Sequence, residues 1–83
     1  MEGKYLIVGR MGHEVPILFS PLITHEEMAK EETPIAAGFF EVYSDQANHD
    51  YHYVQVYGMS EILKIKSRPE DKTIIEKFLN EIY

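Results

Sequence analysis

Residues 51–57 have the sequence Tyr-His-Tyr-Val-Gln-Val-Tyr, in which the valines alternate with tyrosine and glutamine. A period of two is typical of a β-strand with one face toward a core. The apolar run Ile35–Tyr43 precedes it, and residues 44–50 between the two runs are polar and rich in turn-forming residues. The two runs are therefore predicted to pair as a hairpin.

Two further runs, Lys4–Arg10 and Glu14–Phe19, flank a short connection that contains Gly12. Glycine adopts the positive φ of a tight turn without strain, so these runs are predicted to form a second hairpin. Pro16 has no amide hydrogen to donate to a neighbouring strand, which favours a position at the edge of the sheet. A short additional strand is predicted at Ile62–Ile65.

Two helices are predicted from their capping sequences. Thr24 and Glu27 have the spacing of a capping box, in which each side chain bonds to the backbone of the other, and they predict a helix over His25–Glu31. Ser67 and Glu70 repeat this spacing before a C-terminal helix. The apolar residues of that helix share one face: Ile74, Ile75, Phe78, Leu79 and Ile82.

The predicted element order is β-β-α-β-β-(β)-α. It favours an α+β fold, with an antiparallel sheet of four to five strands and a C-terminal amphipathic helix packed on one face. No linker or repeat divides the chain, so a single domain over residues 1–83 is expected.

The composition excludes several classes of protein. No cysteine occurs in the 83 residues, which excludes structural disulfides, cysteine-ligated zinc and thiol catalysis. The first apolar run is too short for a signal peptide or a membrane span, and a cytoplasmic protein without membrane contact is expected. The net charge of −6 opposes docking on a phosphate backbone, so nucleic-acid binding is not expected. Because a small domain has a small core, self-association is the expected additional source of stability.

Aromatic side chains are predicted to form an interface. Because side chains alternate across a strand, the valines and the tyrosines of residues 51–57 point to opposite faces. If the C-terminal helix covers the valine face, few elements remain to cover the other. The predicted interface residues on that face are Phe39, Tyr43, Tyr53 and Tyr57. Tyrosine suits protein contacts, so this face is predicted to form a homodimer; the alternative is that the short helix or the N-terminal hairpin covers it.

The loop at residues 49–52 carries the candidate metal ligands His49, Asp50 and His52, since imidazole and carboxylate bind transition metals. Their spacing matches no established zinc framework, so solvated loop residues are the favoured interpretation and no cofactor is expected. No nucleophile with a partner base and no phosphate-binding loop is present. No catalytic residue is therefore assigned, and a non-enzymatic role is favoured.

Lys64, Lys66 and Arg68 form a short basic run in an otherwise acidic chain. Beside a predicted helix start, they could form a small anion-binding patch. Glu70 and Asp71 lie next to them in the sequence, so local salt bridges are the favoured interpretation.

Residues 56–71, Val-Tyr-Gly-Met-Ser-Glu-Ile-Leu-Lys-Ile-Lys-Ser-Arg-Pro-Glu-Asp, and residues 34–39, Pro-Ile-Ala-Ala-Gly-Phe, resemble short hypothetical proteins of bacterial genomes and prophages. The resemblance covers part of the chain. It implies a bacterial or phage setting, and no activity is assigned to that group of proteins.

The leading hypothesis is a small accessory or inhibitory protein that binds another protein and acts as a homodimer. A second hypothesis is a metal- or small-ligand-binding protein or an enzyme that uses the loop with His49, Asp50 and His52. A third is an acidic mimic of DNA that inhibits a DNA-binding protein. Its carboxylates would have to lie along one exposed stripe: Glu26, Glu27, Glu31, Glu32, Glu41, Asp45 and Asp50.

Overall fold

A four-stranded antiparallel sheet with the strand order β2-β1-β3-β4 forms the centre of the fold. The computed structural model describes residues 1–45, 47 and 51–82. The strands are β1 (Glu2–Arg10), β2 (His13–Phe19), β3 (Ala36–Asp45) and β4 (Tyr51–Tyr57), and the helices are α1 (His25–Ala29) and α2 (Asp71–Ile82). A separate two-stranded sheet consists of β5 (Met59–Ser60) and β6 (Ile65–Lys66). The predicted α+β architecture is confirmed.

Both predicted hairpin pairings are present. β1 and β2 are joined by the turn Met11-Gly12, whose φ angles are 52° and 80°. Positive φ at both turn residues matches the right-handed twist of the flanking strands. Pro16 lies in β2, which is an edge strand, as its missing amide hydrogen predicted. β3 and β4 pair in antiparallel fashion, with Phe39 opposite Tyr57 at one end.

The C-terminal helix covers one face of the sheet. Ile75 and Leu79 of α2 pack on Val54 of β4, as the alternation of the valines predicted. This core cluster consists of buried residues from β1, β3, β4 and α2: Tyr5, Ile7, Ala36, Phe40, Val54, Ile75 and Leu79. Burial of such side chains contributes about 1.5–3 kcal/mol each to the free energy of unfolding, before the loss of chain entropy is counted.

A second cluster lies on the opposite face, at the end of the sheet nearer the β1–β2 turn. Its buried residues come from β1, β2, α1 and β3: Leu6, Val8, Phe19, Ala29 and Ala37. Leu63 and Ile65, from the segment that contains β5 and β6, pack against it. α1 and this segment therefore cover part of the face that is opposite to α2. The alternative prediction was that the short helix covers this face, and α1 does so in part.

Two predicted boundaries are wrong. The strand expected at Ile62–Ile65 is replaced by a turn over residues 61–64, with short strands on each side. Lys64 has φ 57°, and Leu63 donates its amide hydrogen to the hydroxyl of Ser60, 3.2 Å away, so the chain reverses here. α1 ends at Ala29 instead of Glu31, because Lys30 has φ 56° and leaves the helical conformation.

One of the two predicted capping boxes is present. Thr24 accepts from the amide of Glu27, and Glu27 accepts from the amide of Thr24, as predicted. The second box is wrong, because the hydroxyl of Ser67 donates to the carbonyl of Gly58, 2.8 Å away, and joins the start of α2 to the end of β4. Asp71, the first residue of α2, accepts from the amide of Arg68 at 2.8 Å.

A buried polar network fixes the start of α2 to the sheet. Asp71 is fully buried and accepts hydrogen bonds from the hydroxyl of Tyr5 at 2.6 Å and from Arg68 Nε at 2.8 Å. Arg68 also lies 2.7 Å from a carboxylate oxygen of Glu14 on β2. Burial, together with the bond to Asp71, raises the pKa of Tyr5, so its hydroxyl stays protonated and donates. In the described part of the chain, no buried side-chain nitrogen or oxygen lacks a hydrogen-bond partner.

Side chains of α2 protect part of the outer edge of β4. Asn80 Oδ1 accepts from the amide of His52 at 2.9 Å, while Asn80 Nδ2 donates to the carbonyl of His52 at 3.0 Å. Glu76 accepts from the amide of Val54 at 2.8 Å. An unpaired edge strand is a template for pairing with another chain, and these bonds occupy the outward backbone groups at His52 and the outward amide at Val54.

Among residues 1–45, 47 and 51–82, no helix is long and apolar enough to cross a bilayer.

Candidate functional site

The predicted interface residues lie together on the face of the sheet that is opposite to α2. Phe39 is paired with Tyr57, and Tyr43 is paired with Tyr53, across β3 and β4. Directly opposed residues of an antiparallel pair point to the same side. Tyr51 continues the row on β4. We call this surface the tyrosine face and define it by eight residues: Glu2, Phe39, Glu41, Tyr43, Tyr51, Tyr53, Gln55 and Tyr57.

The tyrosine face is exposed to solvent, whereas α1 and residues 59–66 cover other residues on the same side of the sheet. Tyr43, Tyr51, Tyr53 and Tyr57 are exposed by 48%, 41%, 38% and 45%. Val54, which lies between these tyrosines on β4 but points toward α2, is 1% exposed. Neighbouring residues of this strand therefore alternate between the core and an exposed aromatic surface. A cluster of four exposed aromatic rings is more informative than scattered apolar residues on a surface.

Phe39 is the half-buried aromatic residue of the tyrosine face and packs against Tyr57. Its ring stacks on Tyr57 with 5.7 Å between ring centroids and an interplanar angle of 20°. A Cβ atom at Gly58 would lie 2.8 Å from Phe39 Cδ2, so the absence of a side chain at Gly58 makes room for the ring. Phe39 is half-buried, and its contacts fix Tyr57 in place.

His25 of α1 closes the covered end of this face. Its imidazole is 6% exposed and makes edge contacts with Phe19 and Phe39, at centroid distances of 5.5 and 5.6 Å. His25 Nε2 donates to the carbonyl oxygen of Gly38 at 2.9 Å. Burial lowers the pKa of His25, and the charge of Lys4 acts in the same direction, so the neutral ring is favoured. Nothing in the sequence indicates this role, because it depends on the packing of α1 against β2 and β3.

Two carboxylates lie side by side on the tyrosine face. Glu2 on β1 is directly opposite Glu41 on β3, and Glu41 is directly opposite Gln55 on β4. The hydroxyl of Tyr43 donates a hydrogen bond to Glu41, and this bond raises the pKa of Tyr43. Loss of water contact, and then the charges of Glu41 and Glu2, raise the pKa of Tyr57. The charges of Glu41 and Glu2 are smaller contributions to both shifts.

Sequence reasoning could have found some of these residues and not others. Tyr51 and Gln55 follow from the same alternation as Tyr53, and Glu41 lies between Phe39 and Tyr43 in the alternation of β3. Glu2 could not be assigned, because it reaches the face only through the pairing of β1 with β3, and strand order is not visible in the sequence.

Of the candidate metal ligands, His49 and Asp50 lie outside the described residues. His52 points to the α2 side of the sheet, where its Nδ1 is 3.4 Å from the hydroxyl of Ser44. This distance exceeds the roughly 2.6–3.2 Å of a nucleophile hydrogen-bonded to its base. The described residues contain no group of three histidine, aspartate or glutamate side chains that could hold a metal ion. The metal site stays a prediction.

The basic run does not form a continuous row. Lys64 lies in the turn before β6, and Lys66 lies on β6. Arg68 is 2.7 Å from a carboxylate oxygen of Glu14 and 2.7 Å from one of Asp71. These bonds raise the pKa of Arg68 and lower that of Glu14. The contacts of Arg68 match the local salt bridges that the sequence favoured, although the partner on β2 was not foreseen.

Several acids considered for DNA mimicry have partners within the chain. Glu27 caps α1, Glu32 is 2.7 Å from Arg10, and Glu41 accepts from Tyr43. Asp50 lies outside the described residues.

Comparisons with protein-family models, with curated proteins and with solved structures found no match to this chain.

Proposed function

We propose that this is a small non-enzymatic protein that acts by binding another protein through its tyrosine face. The observation that carries the proposal is the exposure of Tyr43, Tyr51, Tyr53 and Tyr57 in one cluster. Elsewhere on the same side of the sheet, α1 and residues 59–66 cover the apolar residues.

The chemistry of the face suits a protein contact. Tyrosine offers a large rigid ring with few side-chain torsions to immobilise, and its hydroxyl can bond to a partner or to water. Protein interfaces are enriched in tyrosine near their centres, where a few residues provide most of the binding free energy. β4 is about 20 Å long, a length that suits the core of an interface of standard size.

The rigid support of the face is a further argument for binding. Tyr57 stacks on Phe39. The ring of Phe39 in turn contacts His25 and occupies the space that a side chain at Gly58 would take. A side chain that is already ordered in the free protein loses less conformational entropy when a partner binds.

Self-association through the same face stays a prediction. A two-fold contact would bring the carboxylates of Glu2 and Glu41 on each copy toward those of the other, and juxtaposed like charges oppose association. The solution mass, measured by light scattering at several concentrations, tests it. No contact among the described residues favours the metal-binding or the DNA-mimic hypothesis over the tyrosine face.

Site-specific photo-crosslinking tests the proposal. A photoreactive phenylalanine analogue is placed at Tyr53 or Tyr57 of the full chain, and at Met11 as a control, in a bacterial host because of the resemblance to bacterial and prophage proteins. Met11 is 98% exposed in the β1–β2 turn, away from the tyrosine face. We expect protein adducts at Tyr53 and Tyr57 that are absent at Met11 and that decrease when Tyr43→Ala is added.

The mass of the adduct identifies the occupant. An adduct of twice the chain mass is a homodimer, and any other mass is a different protein. Adducts at none of the positions, or the same adducts at Met11 as at Tyr53, would contradict a binding role for the tyrosine face.

A further inference from the structure

Among the described residues, neither Glu2 nor Glu41 at the centre of the tyrosine face forms a salt bridge. Glu2 and Glu41 are directly opposed on β1 and β3, an arrangement that destabilises a sheet when both residues have the same charge. Gln55, the neighbour of Glu41 on β4, provides no positive charge. Two bases lie close to this pair: the amino group of Met1 donates to the carbonyl of Val42 at 3.3 Å, and Lys4 is half-buried opposite Phe39.

Resting on the proposed function, we infer that the tyrosine face binds a cationic, arginine-bearing segment of another protein. A guanidinium group can stack on the exposed ring of Tyr53 or Tyr57 while it donates two hydrogen bonds to the carboxylate of Glu41 or Glu2. Rings and carboxylates alternate over short distances on this surface, as such a dual contact requires.

Charge complementarity selects this occupant over the alternatives. The chain has a net charge of −6, so a second copy, a nucleic acid or an anionic membrane would each add negative charge to a negative surface. A lysine can provide the charge, but it lacks the planar fork of donors and the stacking surface of arginine.

The backbone hydrogen bonds at the outer edge of β4 limit how the segment can bind. Asn80 bonds to both backbone groups of His52, and Glu76 bonds to the amide of Val54. A partner segment therefore cannot add along this half of β4 as a fifth strand. It contacts the tyrosine face by side chains, across the sheet surface.

Fluorescence anisotropy with labelled peptides of 12 residues tests the inference with the full chain. One peptide carries three arginines among glycine and serine, a second carries three lysines, and a third carries three glutamates. We expect the arginine peptide to bind about two- to fivefold more tightly than the lysine peptide, and the glutamate peptide not to bind. Affinity should fall as salt rises from 20 to 150 mM, roughly the range over which surface charges become screened.

Matched variants locate the binding site. Gln55→Glu adds a carboxylate at the centre of the face and should tighten binding of the arginine peptide by about two- to fivefold, while Gln55→Lys should weaken it by as much. Glu41→Gln should weaken it, whereas Glu31→Gln removes the same charge next to Glu32, near the far end of β1, and should leave it unchanged. Tyr53→Ala should weaken it by about fivefold or more.

The outcomes separate the inference from the proposed function. Equal weakening by Glu41→Gln and Glu31→Gln, with no effect of Tyr53→Ala, would mean that only net charge attracts the peptide, and would overturn the inference. A dimer that Gln55→Glu dissociates would also overturn it, but would leave the proposed binding role of the tyrosine face intact. Loss of that role requires the crosslinks at Tyr53 and Tyr57 to be absent as well.

Discussion

Asp71→Asn should lower the free energy of unfolding by about 3 kcal/mol, because it removes a buried charge from a site built to bind one. The carboxylate is 0% exposed and accepts from Tyr5 at 2.6 Å and from the amide and Nε of Arg68 at 2.8 Å each, and Arg68 Nη2 lies 2.7 Å from its Oδ1. Asparagine keeps the shape of the side chain and has a single acceptor oxygen.

The amide group of the new side chain has no good orientation. If its nitrogen faces the guanidinium of Arg68, donors oppose donors; if it faces Tyr5, the amide of Arg68 loses its acceptor. A buried donor without a partner costs about 1–3 kcal/mol, and loss of the charged bonds adds to this. For a domain of this size, 3 kcal/mol corresponds to a fall in Tm of roughly 12–24 °C.

Urea denaturation and calorimetry of the variant and the parent chain measure this loss. Glu81→Gln is the control: Glu81 is exposed and lies 4.0 Å from Lys77, so its substitution should change stability by less than about 0.5 kcal/mol. Tyr5→Phe should cost about 2 kcal/mol, and its effect should be smaller in the Asp71→Asn background, because both changes remove the same bond. If Asp71→Asn is as stable as the parent within about 0.5 kcal/mol, the network does not hold α2 as described.

Three other perturbations have definite expected results. The pKa of His25 is lower in the folded protein than the ordinary 6.5. The stabilisation from this residue is therefore complete above about pH 6.5, and it is lost as pH falls toward the pKa of the folded state. Urea melts between about pH 5 and 8 should show this fall in the free energy of unfolding, and His25→Gln should remove it. Asn80→Ala should lower the free energy of unfolding by about 1 kcal/mol, and it should raise the solution mass at high concentration because it frees part of the β4 edge. An unchanged mass at every concentration would count against a protective role for this residue. Gly38→Ala should destabilise by about 1–3 kcal/mol because its Cβ would lie 2.7 Å from a carbonyl oxygen of β4, whereas Gly9→Ala, with its nearest neighbour at 3.4 Å, is the tolerated control in the same melts.

The parts of the fold that depend on local periodicity were predictable from the sequence. The alternation of Val54 and Val56 with tyrosines assigned the two faces of β4, and the spacing of Ile75 and Leu79 assigned the buried side of α2. Both patterns reflect burial on one side of an element, which is repeated at each turn or pleat.

The features that were missed depend on contacts between distant segments. Ser67 has the right spacing for a cap, but its hydroxyl bonds to the carbonyl of Gly58, nine residues earlier, and the carboxylate of Asp71 accepts from the amide of Arg68. The pairing of Glu2 with Glu41 requires β1 to lie beside β3, and nothing within either segment indicates this. The candidate site was thus predictable in its aromatic residues, and its acidic character became visible only with the strand order.

The unequal edges of the sheet limit how many copies of this chain can join strand to strand. A filament grows only when a molecule offers two usable edges, one for each neighbour. Here Asn80 and Glu76 occupy part of the β4 edge, while β2, which contains Pro16, is the other. Two copies that met at β2 would use up that edge in both, and further strand-to-strand growth would have only the part of β4 that Asn80 and Glu76 do not occupy.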